Sequence, residues 1–393
     1  MTARKQWDIF CSVVDNFGDI GVCWRLARQL QAEYSVHVRL WVDDLDSFQR
    51  ICIEIDPSLT QQCLASGVEV VAWSKAGCFA DLLLSGPDAD VVIEAFGCEL
   101  PTTYLAQMAK RHTKPLWLNL EYLSAEAWVE DCHALPSPHP QLPLQKYFFF
   151  PGFTGRTGGL LREQGLLEQV SQFQQSSEQQ QVFLQNLGVE QPEQYGLKLC
   201  LFAYSHSKLA DWLDALARME PKVLCLVPAG ALATELQQHY PQLRSTGWME
   251  WGQLRLQLLP FVDQPAFDQL LWCCDINFVR GEDSLIRAIW AGRPFNWQLY
   301  RQPDDAHLDK LEAFWQQYKH QMPTQLHDAL ETFWQAWNEP LDLVTPWQQL
   351  LPLLPYWQQH ASRWQQQLSL QDDLAKNLVR FVEKKFILTA NFS

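Results

Sequence analysis

The chain has 393 residues, of which 47% are hydrophobic and 19% charged, and a formal net charge of −15. That length exceeds one ordinary core and predicts two domains of roughly 150 to 200 residues, while the apolar content excludes extensive disorder. The negative balance opposes broad binding to nucleic acid or to an anionic membrane, both of which require clustered Lys and Arg.

In chain order, the first half alternates apolar extended runs with helical patterns: "WDIFCSVV", "VHVRLWV", "VEVVAW", "DVVIEAF" and "PLWLNLEYL". Between the first two, Cys23, Leu26, Ala27 and Leu30 recur at i, i+3, i+4, i+7, which is one face of a helix expected over about Ile20 to Leu30. This βαβ grammar predicts a mostly parallel sheet for a domain over 1–165. A polar, Gln-rich stretch over 166–195 marks a linker region and can itself be partly helical. The grammar restarts with "LKLCLFAY", "KVLCLVPAG", "LRLQLLPFV" and "CCDINFV", predicting a second doubly wound domain over 196–360. The tail, rich in Trp, Gln and Leu, should be helical over 361–393, and packing back on the first domain is one arrangement open to it. The fold class is therefore α/β, with two Rossmann-like domains whose strand ends face a central cleft.

The start, "MTARKQWDIF", lacks the long apolar core of a signal peptide, and no run approaches the length of a membrane span, so a cytoplasmic, membrane-free protein is expected. Eleven cysteines form no C-x-x-C pair, and Cys273 and Cys274 lie in an apolar run that reads as buried strand. Reduced thiols are expected. Ten histidines supply no H-E-x-x-H or paired Cys/His spacing, so no protein-built metal site is expected.

The loop "VVDNFGDIG" after the first strand carries Asp15 and Asp19, two carboxylates where many nucleotide-binding folds hold phosphate. Gly18 and Gly21 give only G-x-x-G, although Asp43 and Asp44 end the second run as a nicotinamide site would want. One reading makes the two acids a turn residue and a helix cap. The other makes them a clamp for a guanidinium, able to accept its proton as it reacts. The second constellation, "NFVRGEDSLIRAIWAGRP", reads as strand, tight turn and helix, with Gly292 and Pro294 as stop signals. Its helix start at Glu282, Asp283 and Ser284, beside Arg280, suits a diphosphate, although the two acids also suit the helix dipole. Phe202, Tyr204, Phe261, Gln264 and Tyr300 fall at strand ends, where they either pack or stack and read a nucleobase. The tripeptides "DLD" within "DDLD" (Asp43 to Asp46) and "DAD" (Asp88 to Asp90) resemble metal-binding D-x-D motifs but equally suit turns and caps.

Taken together, "WDIFCSVVDNFGDIGVCWRLAR", "PLWLNLEYLSAE", "QKYFFFPGFTGRTGGLLRE", "PFVDQPAFDQLL" and "VRGEDSLIRAIWAGRPFNWQLY", continuing into "HLDKLEAFW", resemble the elongation factor P protein-arginine rhamnosyltransferases (EarP family) over nearly the whole chain. Agreement is least over Glu168 to Gln194. The resemblance implies a GT-B glycosyltransferase that moves L-rhamnose from dTDP-β-L-rhamnose to an arginine of elongation factor P, with inversion and without a metal or other cofactor. That modification would relieve ribosome stalling at proline runs. Its D-N-[FY]-G-D motif falls on Asp15 and Asp19, with Asn16, Phe17 and Gly18 between them as an acceptor loop. Its donor residues fall on Phe202, Tyr204, Phe261, Gln264, Arg280, Glu282, Asp283, Ser284 and Tyr300. Glu282 joins Asp15 and Asp19 as a residue of catalysis. From the residues alone, a nicotinamide oxidoreductase and a non-catalytic nucleotide-binding module are the rivals.

Overall fold

A computed structural model describes residues 5–14, 17–73, 88–301 and 306–390, with backbone only for 389–390. The chain divides into two compact units, one formed by 1–164 and 371–393, the other by 165–370.

The first unit is built on eight strands: β1 (Lys5–Cys11), β2 (Val36–Val42), β3 (Gln61–Cys63), β4 (Glu69–Ala72), β5 (Val91–Ala95), β6 (Leu116–Leu120), β7 (Pro136–Pro138) and β8 (Gln145–Phe149). They lie in the order β3-β4-β2-β1-β5-β6-β8-β7, with only β3 and β7, the edges, antiparallel to their neighbours. Strands buried on both faces explain the near-continuous apolar runs. One polar group inside them is matched: Arg39 forks onto both carboxylate oxygens of Asp8 at 3.0 and 2.7 Å, and the Tyr104 hydroxyl donates to Asp8 at 2.6 Å. This ties β2 to β1 through a buried, fully engaged carboxylate.

Helix Gly18–Glu33 buries Ile20, Cys23, Leu26, Ala27 and Leu30 against this sheet, running somewhat longer than its apolar period alone suggested. The last helix, Leu374–Ala390, belongs to the same unit, with Leu374, Ala375, Leu378 and Val382 in the same core cluster. Asn377 donates to the Gly158 carbonyl at 3.0 Å and Gln29 to Asp373 at 3.1 Å, fixing the helix to the fold it returns to.

The second unit carries β9 (Leu197–Leu201), β10 (Val223–Val227), β11 (Trp248–Trp251), β12 (Leu254–Leu258), β13 (Ile276–Arg280) and β14 (Phe295–Gln298) in the order β11-β12-β10-β9-β13-β14. All pairs but β11 with β12 are parallel. From β9 the chain winds to β10 on one side and later to β13 on the other, so the switch point lies between β9 and β13.

The segment expected as a linker is instead part of this unit: helices Leu166–Gln175 and Ser177–Asn186 occupy most of it. Val170, Phe173 and Leu184 supply the buried stripe, with Phe173 edge-on to Trp272 at 5.7 Å. Gln174 donates to the Ala291 carbonyl at 2.8 Å, so not all of the glutamines are solvent-directed. The run "CCDINFV" also differs from expectation. Cys273 ends helix Gln264–Cys273, Cys274 caps it, and strand begins only at Ile276, because the Asp263 cap starts a helix that runs through the apolar residues. Helix Leu354–Ser369 stays with the second unit, its Trp364 packing on Tyr318 at 4.8 Å. There Tyr318 and Phe314 stack on Trp334 at 5.5 and 5.7 Å, which gives this unit an aromatic cluster at its C-terminal helices.

Candidate active site

The strand ends of the second sheet assemble the larger constellation. Past β9, the Phe202 N–H donates to the Phe278 carbonyl at 2.9 Å, holding Phe202 beside β13, whose last residue is Arg280. The Arg280 guanidinium then lies over two rings at once, 4.8 Å from Phe202 and 4.6 Å from Tyr204. Such stacking orients a planar cation without using up its N–H groups. The Tyr204 ring meets Tyr300 edge-on at 5.7 Å, and Tyr300 is 71% exposed. Arg280, Phe202, Tyr204 and Tyr300 are thus brought together at the switch point.

Directly after Arg280, Gly281 adopts φ +67° and ψ −175°, which only glycine takes readily, and helix Glu282–Ala291 begins at once. Having no side chain, Gly281 cannot cap that first turn. The turn is held from behind: the Trp297 indole donates to the Gly281 carbonyl at 2.9 Å and the Ser284 hydroxyl donates to the Arg280 carbonyl. Glu282 points to Lys310, with Oε1 2.6 Å from Nζ. A helix start beside a stacked guanidinium is chemically an anion site. Phe261 and Gln264 lie at the same sheet edge, beyond β12. Phe261 is exposed and Gln264 buried, and Phe267, on the helix that Gln264 opens, lies edge-on to Phe202 at 5.2 Å.

In the first unit, helix Gly18–Glu33 has Phe17 as its cap residue, with no side-chain cap bond. Asp19 is therefore not the helix cap. It sits within the first turn, 3% exposed, and its Oδ2 accepts the Val14 N–H at 3.0 Å across the loop. Asp43 grips the start of the same loop, accepting the Ser12 hydroxyl at 2.5 Å and the Val13 N–H at 2.9 Å. Both strap a segment that leads into Asp15 and Asn16, which lie outside the described residues. Phe17 packs partly buried on the core cluster, and Gly18 opens the helix.

The other acidic tripeptides are occupied structurally. Asp44 caps helix Leu45–Ile51, accepting the Ser47 N–H at 3.0 Å, and the Ser47 hydroxyl bond holds its carboxyl below the usual range. Asp90 accepts the Gln6 N–H at 2.9 Å and Asp88 faces Arg111 at 3.6 Å. Among the described residues no group of three or more His, Cys, Asp or Glu is arranged to hold a metal.

Sequence reasoning missed Lys310, Gln298 and Asn338. Gln298 accepts the Tyr204 N–H at 2.7 Å, and Asn338 fixes the chain on either side of it, donating to the Trp297 carbonyl at 3.0 Å and accepting the Leu299 N–H at 3.1 Å. Their only signal was position: Gln298 ends a strand four residues past Pro294, but Lys310 and Asn338 sit on helices with no spacing rule to the site.

The model of the family described as "Elongation-Factor P (EF-P) rhamnosyltransferase EarP" matches residues 7–383. The chain belongs to this family. It is 49% identical over 385 residues to a protein-arginine rhamnosyltransferase of Pseudomonas putida, covering 96% of this chain and 98% of that one. A second, of Pseudomonas aeruginosa, is 49% identical over 378 residues with the same coverage. Among solved structures, one from work on EarP-mediated arginine glycosylation of translation elongation factor EF-P shares 35% identity at a TM-score of 0.68, over 97% of this chain and 99% of that one. Anabaena HepE in complex with UDP and glucose is similar in fold alone, at 13% identity and a TM-score of 0.51, over 97% of this chain and 99% of that one. The chain is a glycosyltransferase of the EarP family with the GT-B fold, and its C-terminal region is helical.

Proposed function

We propose that this enzyme transfers L-rhamnose from dTDP-β-L-rhamnose to one arginine side chain of elongation factor P, inverting the anomeric carbon and so relieving ribosome stalling at proline runs. The observation that carries the donor half is the Arg280 guanidinium stacked on Phe202 and Tyr204 at the start of helix Glu282–Ala291. Family membership supports the sugar and the acceptor.

An arginine nitrogen is a poor nucleophile because its guanidinium stays protonated and its lone pairs are delocalised. In this reading Asp15 and Asp19 hold the guanidinium through charge-assisted hydrogen bonds, with Asn16 to Gly18 shaping the loop around it. Asp19 takes the proton as the C–N bond forms, and Asp15 orients and polarises. Arg280 and the backbone at Glu282 to Ser284 stabilise the charge that grows on the departing dTDP, so no metal or other cofactor is needed. Phe202, Tyr204, Phe261, Gln264 and Tyr300 hold the nucleoside. Attack opposite the leaving group gives an α-linked product. The ten described cysteines are thiols and no described helix is long and apolar enough to cross a membrane, both compatible with a cytoplasmic site of action.

Thermal shift with dTDP, UDP, NAD and ADP tests the donor half. Selective stabilisation by dTDP is expected; stabilisation by NAD and not by dTDP would return the protein to the nicotinamide reading.

A further inference from the structure

Two carboxylates, Glu282 and Asp283, open the helix at which a diphosphate would sit. A bare acid there would repel the ligand that the helix start and Arg280 attract. The structure resolves this for Glu282. Its Oε1 lies 2.6 Å from the Lys310 ammonium, with the two side chains only 16% and 25% exposed. Lys310 comes from a separate element, helix Ala306–Tyr318, which is held to the sheet by Phe314 against Phe295 and Trp297 at 6.2 and 5.1 Å. Trp297 also donates to the Gly281 carbonyl at 2.9 Å, so one indole braces both the helix that carries Lys310 and the turn that carries Glu282. The ammonium is thereby built into place and is not a mobile surface charge. A close, half-desolvated pair of this kind is screened far less than an exposed one.

We propose that Lys310 is a positioning residue of the donor site: by neutralising and anchoring Glu282, it turns an acid-bearing helix start into one that accepts a nucleoside diphosphate. The inference rests on the reading that this helix start receives the donor's diphosphate. Lys310 acts through Glu282, and its loss harms binding because it removes the ammonium that offsets this carboxylate beside the phosphates.

Calorimetry with dTDP and thymidine on the full chain tests this. Lys310→Met should weaken dTDP by roughly 10- to 100-fold, the range expected when one charge-assisted interaction is lost. Thymidine affinity should stay within about twofold, since the nucleoside carries no phosphate to be repelled by the Glu282 carboxylate. Lys310→Arg should keep most of the dTDP affinity. The double variant Lys310→Met with Glu282→Gln should recover dTDP binding to within about threefold of the original, because removing the carboxylate charge removes the repulsion. Thymidine binding and melting temperature report folding, and Lys310→Gln serves if Lys310→Met does not fold. Equal loss for dTDP and thymidine would assign Lys310 to general stability and overturn the proposal. A double variant as weak as Lys310→Met would mean that Lys310 grips the phosphates directly, which also overturns it. Arg280→Ala measured alongside separates the two levels. If it leaves dTDP binding unchanged, the diphosphate reading itself falls; if it weakens dTDP while Lys310→Met does not, only the role of Lys310 falls.

Discussion

Replacing Asp19 by Asn separates chemistry from architecture at one atom. In the structure Asp19 Oδ2 accepts the Val14 N–H at 3.0 Å, and an amide oxygen can keep that bond. Asp19 is not the cap of its helix, so no capping bond is lost, and the contribution of its negative charge against the helix dipole is about 0.3–2 kcal/mol. For a unit of this size that dipole contribution alone amounts to a melting shift of up to about 8 °C. Loss of a general base should instead slow turnover by about 10² to 10⁴-fold, a barrier increase of roughly 2.7–5.5 kcal/mol. The second effect exceeds the dipole contribution, and a melting temperature measured beside the rate separates it from a folding defect. The assay is single-turnover rhamnosylation of elongation factor P, with melting temperature and dTDP affinity measured on the same preparation. Donor affinity should survive, since the proposed donor contacts lie in the second unit. A folded, dTDP-binding Asp19→Asn variant with turnover within threefold of the original would refute Asp19 as the base.

Arg280→Ala should cost dTDP affinity about 10- to 100-fold, from a charge-assisted contact of roughly 1.5–3 kcal/mol, and leave thymidine nearly unaffected; equal loss in calorimetry would place Arg280 elsewhere. Turnover should persist in EDTA, because the helix start and Arg280 supply the charge stabilisation a divalent ion would; activity abolished by EDTA and restored by Mg²⁺ or Mn²⁺ would contradict this. Burial lowers His133 to about 4, and its Nδ1 accepts the Phe150 N–H at 3.1 Å, while burial also lowers His360 in the second unit. Each is held neutral in the fold but protonates freely when unfolded, so each loses its contribution as pH falls below about 6.5, that of His133 progressively toward about pH 4. Urea titrations at pH 7 and pH 5 should show a smaller drop in stability for His133→Asn than for the original chain; an equal drop would remove His133 from that account.

The parallel strands were legible because burial on both faces writes itself as an unbroken apolar run. The antiparallel edges β3, β7 and β11 were not: Gln61–Cys63 and Pro136–Pro138 are three residues each, polar or proline-bearing, and pair only because a distant strand lies beside them. The stretch 166–195 misled through composition, since glutamines masked the apolar residues Val170, Phe173 and Leu184. Around the candidate site, Arg280 and the helix start could be read because Gly281 punctuates a strand-turn-helix pattern within a few residues. Lys310 could not, since its pairing with Glu282 is created by tertiary packing of Phe314 and Trp297 and leaves no trace in spacing. The orientation of Glu282, open in the sequence, is set in the structure by its ion pair with Lys310.

The central claim is tested most directly by incubating the full chain with elongation factor P and dTDP-β-L-rhamnose, then recording intact mass and fragmenting the product. The account predicts a single deoxyhexose increment on elongation factor P, located on one arginine, and abolished by Asp19→Asn. An unchanged mass under conditions in which the protein is folded and binds dTDP, or an increment on a residue other than arginine, would contradict it.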